Sequence, residues 1–224
     1  MSVLKTIRHE YKFVIPYEEM LALREKLNKL LDIDRNYDGY MIRSLYFDSI
    51  NDSDYYDKLN GEMNRKKIRL RIYDPNGELV KLELKSKYDY HQLKESLIIK
   101  KEDAIELIKG NYSVLLNYQE DLAKRIYVIL MTNYYKPKVI IEYQRIAYMG
   151  KTTTRITFDF EIKSSTNIDD FFNEDINYVE TIDKKDVVLE VKFDRFLEPY
   201  ISVILDKYIS RNQSVSKYIM GRNN

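Results

Sequence analysis

An α+β fold built on a closed antiparallel β-barrel, with helices packed outside, is predicted by three observations on this 224-residue chain. The first is strict alternation. In Lys66-Lys67-Ile68-Arg69-Leu70-Arg71-Ile72-Tyr73, residues Lys67, Arg69, Arg71 and Tyr73 share one strand face, while Ile68, Leu70 and Ile72 share the other. The second is recurrence: the stretches 7–15, 66–73, 79–88, 152–162 and 187–194 each pair an aliphatic face with one of mixed Arg, Lys, Glu and Asp. The third is a set of amphipathic helical stretches at 17–31, 113–131 and 199–209, suited to cover an aliphatic outer surface. One charged face is ordinarily the solvated side of an antiparallel sheet. Several such faces, with Glu-x-Lys repeated at Glu10-Lys12, Glu83-Lys85 and Glu190-Lys192, suit a closed sheet whose lumen pairs carboxylates with cations.

Each element has its own local reason. Residues 7–15 put Arg8, Glu10 and Lys12 opposite His9, Tyr11, Phe13 and Ile15. Pro16, with Glu18 and Glu19 behind it, opens a helix over 17–31 whose stripe is Met20, Leu23, Leu27, Leu30 and Leu31. A strand at 40–48 precedes a short helix, capped by Asn51 or Ser53 and ended by Gly61. Asp74-Pro75-Asn76-Gly77 supplies the turn of a hairpin between 66–73 and 79–88, whose second arm sets Lys81, Glu83, Lys85 and Lys87 on one face. The stretch 90–100 repeats the pattern with Gln92, Lys94 and Ser96 together, and helices are predicted at 101–109 and 113–131. In the β-rich run 138–149, Glu142 and Arg145 have opposite parity, so one points off the charged face unless a bulge intervenes. Arg155, Thr157, Asp159 and Glu161 alternate with Ile156, Phe158, Phe160 and Ile162 in the next strand. Residues 163–184 read as loop. Glu190, Lys192 and Asp194 then oppose Leu189, Val191 and Phe193. Pro199 opens a helix to about 209, and Ser214 caps a last one holding Lys217.

Composition bounds the function. The length and the 44% hydrophobic content suit one domain over 1–224. Lys plus Arg (37) and Asp plus Glu (36) nearly cancel, so no global field attracts nucleic acid or an anionic membrane, and any anion site is local. The chain has no Cys, which excludes thiolate chemistry and zinc–cysteine sites and fits a reducing compartment, so the cytoplasm is expected. No run is long and apolar enough for a membrane span. None of the six Gly sits in a GxGxxG or GxxxxGK arrangement, so phosphate would be held by side chains. His9 and His91 have no second ligand at metal spacing, and most of the 21 Tyr occupy packing positions.

The residues resemble a known family. Arg8-x-Glu10-x-Lys12-Phe13, Ser44-Leu45-Tyr46-Phe47-Asp48, Lys67-x-Arg69-x-Arg71, Glu83-x-Lys85, Tyr143-x-Arg145-x-Ala147, Arg155-x-Thr157-x-Asp159, Leu189-Glu190-x-Lys192 and Ser214-x-Ser216-Lys217-Tyr218 follow in order over nearly the whole chain. Together they are similar to the vacuolar transporter chaperone (VTC) domain, the polyphosphate polymerase branch of the CYTH-like triphosphate tunnel metalloenzyme superfamily. The resemblance implies a tunnel in which ATP and a divalent metal, Mn or Mg, extend inorganic polyphosphate. The wider superfamily begins with Glu-x-Glu-x-Lys, and Arg8 at the first position exchanges a metal-binding carboxylate for a phosphate-binding cation. Eukaryotic members add an inositol-phosphate-sensing domain and membrane helices. This chain is expected to leave any membrane partner to a separate gene.

Phosphoryl transfer asks for cations spread over nonbridging oxygens and a metal bridging adjacent phosphates. Arg69, Arg71, Arg145 and Arg155 offer planar forks, and Lys12, Lys85, Lys94, Lys192 and Lys217 offer point charges. By the resemblance, Arg69, Arg71, Lys85, Arg145, Arg155 and Lys217 are the catalytic candidates, and Arg8, Lys12, Lys67, Lys94, Lys192 and Ser214 bind phosphate. Glu190 is the metal-ligand candidate, with an ordinary Glu–Lys cross-strand pair as its structural alternative. Glu10 and Glu83 orient cations, and Asp159 suits either task. Arg69, Arg71, Lys85, Arg155, Glu190 and Lys192 are expected to face one lumen. Three activities fit these residues: a polymerase using ATP and polyphosphate or tripolyphosphate, a triphosphatase or related hydrolase with water as acceptor, and a non-catalytic polyphosphate-binding module.

Overall fold

The computed structural model describes residues 8–89, 91–209 and 212–223. Its first half runs β1 (Arg8–Pro16), α1 (Tyr17–Leu27), β2 (Asp32–Ile33), β3 (Tyr40–Asp48), α2 (Ser53–Leu59), β4 (Arg65–Ile72), β5 (Leu79–Tyr88), β6 (His91–Lys100) and α3 (Lys101–Ile108). Then follow α4 (Asp121–Thr132), β7 (Lys136–Met149), β8 (Arg155–Ser165), β9 (Val179–Glu180), β10 (Asp186–Asp194), α5 (Pro199–Ile209) and α6 (Lys217–Arg222). Short 3-10 turns occur at Tyr112–Asn117 and Ile168–Phe172. No helix among the described residues is long and apolar enough to cross a membrane.

The chain divides into two units. One holds residues up to Met41, with Tyr143–Ile162 and Ile182–Ser216; the other holds Ile42–Glu142, Lys163–Thr181 and the stretch from Lys217. In the first unit the strand order is β1-β10-β8-β7, with β2 beside β7. Alternation does the sorting: Phe13 lies opposite Leu189, and Leu189 opposite Phe158, all fully buried. Met20, Leu23 and Leu27 of α1 and Ile201, Leu205 and Tyr208 of α5 close over that aliphatic face. Each such side chain contributes about 1.5–3 kcal/mol. Helix α1 stops at Leu27 rather than 31. The amides of Leu30 and Leu31 both bond the Leu27 carbonyl, which leaves Leu30 exposed and turns the chain into β2, paired with Tyr148 and Met149.

The second unit orders its strands β7-β3-β4-β5-β6, and its centre is a row of four leucines, Leu45, Leu70, Leu82 and Leu97, facing one another across β3 to β6. Helices α3 and α4 pack on this row. The hairpin turn forms as expected: the Gly77 amide bonds the Asp74 carbonyl, and the Asn76 amide bonds Asp74 Oδ1. The helix expected over 113–131 is broken in two. Tyr118 is extended between the halves, donating its hydroxyl to Asp103 Oδ2 (2.5 Å) and accepting from the Lys100 amide, and Leu116 of the expected stripe is exposed. The short helix α2 is capped neither by Asn51 nor by Ser53. Asp52 precedes it in the left-handed region, and the buried Asp48 carboxylate accepts from the amides of Ser49, Asp54 and Tyr55.

Every described pairing is antiparallel. The sheet path runs from β1 to β6, and among the described residues these pairings give the antiparallel α+β sheet that was expected.

The segment 163–184 is not simply loop. β8 runs on to Ser165, and β9 pairs with it at Lys163 and Ser164. A buried ion pair accounts for this order: Arg43 Nε bonds Glu142 Oε2 at 2.7 Å, and its Nη1 bonds the carbonyls of Phe171 and Asn173. Lys163 and the Tyr178 hydroxyl complete the shell around Glu142. The parity conflict in β7 thereby resolves, because Glu142 and Arg145 each have partners of their own. Arg43 and Glu142 are only 2% and 7% exposed. Arg43→Met should therefore cost about 3–5 kcal/mol in denaturant unfolding by stranding Glu142, and Arg43→Met with Glu142→Leu should recover most of it. A double variant as unstable as the single one would contradict this account.

Candidate functional site

In the second unit the β4–β5–β6 register decides the electrostatics. Lys67, Lys85 and Lys94 lie directly opposite one another on three adjacent strands, and Arg71 lies opposite Lys81. Like charges so placed repel, so this face needs counter-charges around it. Glu83 meets part of that need. Its Oε2 accepts from Arg69 Nε at 2.6 Å and lies 3.9 Å from Arg71 Nη1, and its Oε1 is 2.6 Å from Lys94 Nζ. Burial disfavours ionised Glu83, yet Arg69, Arg71 and Lys94 overcome it and hold the carboxyl at about 2. Burial lowers the Lys94 ammonium despite Glu83, with Arg69 and Arg71 pushing the same way.

Tyr46, opposite Arg69 in the register, accepts from Arg69 Nη1 at 2.9 Å, and Ser44 Oγ accepts from Arg71 Nε at 3.2 Å. Burial alone would raise the Tyr46 phenol. Arg69 and Arg71, with Lys217, bring it below the ordinary phenol range instead.

The first unit carries a different pattern. Lys12 lies opposite Glu190 and Glu10 opposite Lys192, so the charges of β1 and β10 alternate in sign, while on the other side of β10 Lys192 lies opposite the like-charged Arg155. Glu190 is 2.9 Å from Lys192 Nζ, 3.5 Å from Lys12 Nζ and 3.8 Å from Arg145 Nη2. Burial would raise its carboxyl, but Lys192, contact with Glu10, Lys12 and Arg145 hold it well below the usual carboxylate range. Lys12 goes the other way: burial lowers it, and Glu190 and Glu10 more than compensate. Arg145 gives Nε and Nη2 to the two Asp159 oxygens at 2.6 Å each, and Arg155 gives Nη2 to Asp34 Oδ2 at 2.6 Å and to the Tyr40 hydroxyl. Glu10 Oε1 is buried and 3.3 Å from Lys192 Nζ, but out of line for a hydrogen bond.

The predicted residues thus fall into two clusters, one per unit. The second unit assembles Lys67, Arg69, Arg71, Glu83, Lys85 and Lys94, with Lys217 at the start of α6 acting on Tyr46. The first assembles Glu10, Lys12, Arg145, Asp159, Glu190 and Lys192, with Arg155 at its margin. Ser214 is exposed and precedes α6 by three residues, so it does not cap that helix. Arg8 begins β1, and its side chain lies outside the described residues. His9 stacks on Phe193, and His91 is an exposed residue of β6.

Ser44, Tyr46, Tyr218, Asp34 and Tyr40 were not among the expected site residues. For Ser44 and Tyr46 a signal existed, since they share the parity of Asp48 in a strand whose other face is Leu45 and Phe47. Asp34 had none, because its partner Arg155 is 121 positions away. No cluster of three or more metal-ligating residues occurs among the described residues. Glu10 and Glu190 form the carboxylate pair of the first unit's cluster. Two adjacent carboxylates with one orphaned buried oxygen suit a hard cation that completes its shell with phosphate and water.

Three solved structures share the architecture. A candidate adenylyl cyclase from Hippeastrum with a dominant triphosphatase activity aligns with a TM-score of 0.57 at 13% identity, covering 96% of this chain and 94% of that one. A candidate adenylate cyclase from Bacillus halodurans aligns at 0.53 and 15% identity, covering 94% and 92%. Another from Vibrio parahaemolyticus aligns at 0.53 and 11%, covering 96% and 97%. At these identities the likeness is one of fold. No curated protein matches the sequence. A family model for the VTC domain matches residues 7–224, across both units and both charge clusters, and the chain therefore belongs to the VTC domain family.

Proposed function

We propose that this chain is a polyphosphate polymerase that transfers the terminal phosphate of cytoplasmic ATP to a growing inorganic polyphosphate chain, residues 1–224 acting as one tunnel domain with a closed barrel. The observation that carries the reading is the like-charge row Lys67–Lys85–Lys94 beside Arg69 and Arg71. A folded protein sustains such a row at a cost, and a polyanion relieves it. Membership of the VTC domain family supports the same substrate class.

On this reading the protein's work is positioning and charge stabilisation. Arg69 and Arg71 present guanidinium forks to nonbridging oxygens, oriented by Glu83, Tyr46 and Ser44. Lys67, Lys85, Lys94 and Lys217 add point charges that spread over the phosphates. Lys12 and Lys192, each beside Glu190, grip phosphate in the first unit, while Arg145 and Arg155, engaged by Asp159 and Asp34, set the charge around them. Glu190 with Glu10 would hold the divalent cation, Mn or Mg, which supplies positive charge between adjacent phosphate oxygens when bound. A triphosphatase is the second reading, favoured by the activity of the Hippeastrum neighbour.

One assay separates the two: purified protein with ATP and Mn, measuring polymer and free phosphate together. Polymer exceeding free phosphate is expected. Free phosphate without polymer would replace the polymerase by the hydrolase, and neither product would leave only the binding module.

Glu190→Gln keeps the size and one acceptor oxygen but loses the charge that would hold a cation. It should abolish turnover while tripolyphosphate still binds in the absence of metal. Near wild-type turnover with an unchanged Mn midpoint would make Glu190 a cross-strand pairing residue only.

Acid should expose the role of Glu83. Its folded carboxyl titrates near 2, below its ordinary value, so its stabilising effect is present above the ordinary carboxylate range and fades as pH falls towards 2. Glu83→Gln should flatten the loss of melting temperature across that window, and a parallel pH profile in wild type and variant would show that Glu83 is not the counter-charge described.

A further inference from the structure

Tyr218 follows the catalytic candidate Lys217 and is fully buried in α6. Its ring stacks on Tyr46 with centroids 5.2 Å apart and 26° between planes, and Tyr46 is the acceptor of Arg69. Lys67 Nζ sits 5.5 Å from the centre of the same ring. Its hydroxyl donates to Asp48 Oδ2 at 2.5 Å and accepts from Arg222 Nη1 at 3.3 Å. One side chain thus meets Lys67 directly, Lys217 through the backbone and Arg69 through Tyr46.

The surroundings leave this ring little freedom. Asp48 is held by three backbone amides of the α2 entry, so the anchor of Tyr218 is itself rigid. Arg222 grips both oxygens of Asp52 at 2.9 Å, where Lys138 joins at 2.8 Å. Gly221 lies against Ile141 and Ser164, where a Cβ would overlap Ile141. A six-residue helix has little stability of its own, so these contacts decide where it sits. The hydroxyl of Tyr218 is spent on Asp48 and Arg222, while its ring meets Lys67 and Tyr46, which goes beyond what holding a short helix requires.

We propose that Tyr218 is the positioning residue of the second unit's cationic cluster, setting Lys217, Lys67 and, through Tyr46, Arg69 in the arrangement that receives consecutive phosphates. This rests on the phosphate-handling reading above. Without the stack, Tyr46 can leave Arg69, and the cations relax apart under their own repulsion. Anion affinity would then fall even though no group that touches phosphate had been removed.

The test compares wild type, Tyr218→Leu, Tyr218→Phe and Tyr46→Phe by tripolyphosphate calorimetry and melting temperature. Tyr218→Leu should weaken tripolyphosphate about tenfold, and Tyr218→Phe, which keeps the stack, should restore most of that affinity. A residue that only holds the helix would lower the melting temperature and leave the affinity of the folded protein unchanged, and that result would overturn the proposal. Should Tyr218→Leu fail to fold, Tyr46→Phe decides, because wild-type affinity in that variant would show that the Tyr46 bond does not set Arg69 and would equally overturn the proposal. If wild type does not bind tripolyphosphate, the phosphate reading fails, and ultraviolet titration judges the positioning alone. The phenol lost in Tyr46→Phe should titrate below the ordinary tyrosine range in wild type and return towards it in Tyr218→Leu, which removes the stack. An unmoved Tyr46 titration would overturn the positioning role.

Discussion

Two buried, ionised carboxylates, Glu83 and Glu190, are the constraint on which the rest of the structure depends. Each is nearly sealed from water, at 2% and 6% exposure, and each stays charged because three cations surround it. Removing such a charge from water costs several kcal/mol unless partners are close and well aligned. Register is therefore not negotiable in β4, β5 and β10: a slip by one residue would drive Glu83 or Glu190 into the aliphatic cluster and expose leucines. The leucine row across β3 to β6 enforces the same register from the other face, so hydrophobic and ionic requirements agree.

The two clusters use charge differently. In the first unit, opposite signs alternate across β1 and β10, which is self-neutralising and needs no ligand to be stable. In the second, lysines face lysines, and Glu83 offsets Arg69, Arg71 and Lys94 without lying opposite all of them. The first arrangement suits a site that holds a carboxylate pair ready. The second gathers cations on neighbouring strands.

Not every buried ion pair belongs to this chemistry. Arg43 and Glu142 lie in β3 and β7 at the parity of Leu45, Phe47 and Ile140, on the side of the hydrophobic cluster, and spend their hydrogen bonds on the carbonyls of Phe171 and Asn173 and on Tyr178. Arg145 is intermediate: it stands beside Glu190, but two of its donors are fixed on Asp159. An arginine so engaged shapes the field around an anion more than it grips one.

The sequence by itself determined the long strands, the turn at Asp74 to Gly77 and the membership of each charged face, because period-two alternation is a local property that survives any tertiary arrangement, whereas the two-residue strands β2 and β9 are too short to show it. It also marked Arg69, Arg71, Glu83, Glu190 and Lys192 as site candidates, each of which lies in one of the two clusters. Only the tertiary structure decided which charges are adjacent. Lys67, Lys85 and Lys94 become a row through the register of three strands, Arg155 meets Asp34 across 121 positions, and Tyr218 reaches Asp48 across 170. The helix expected over 113–131 broke for the same reason: Tyr118 found Asp103 and the Lys100 amide, partners that helical periodicity cannot anticipate. Alternation states which face a residue occupies, whereas pairing energy depends on what lies across the strand, and that is fixed only when distant segments meet.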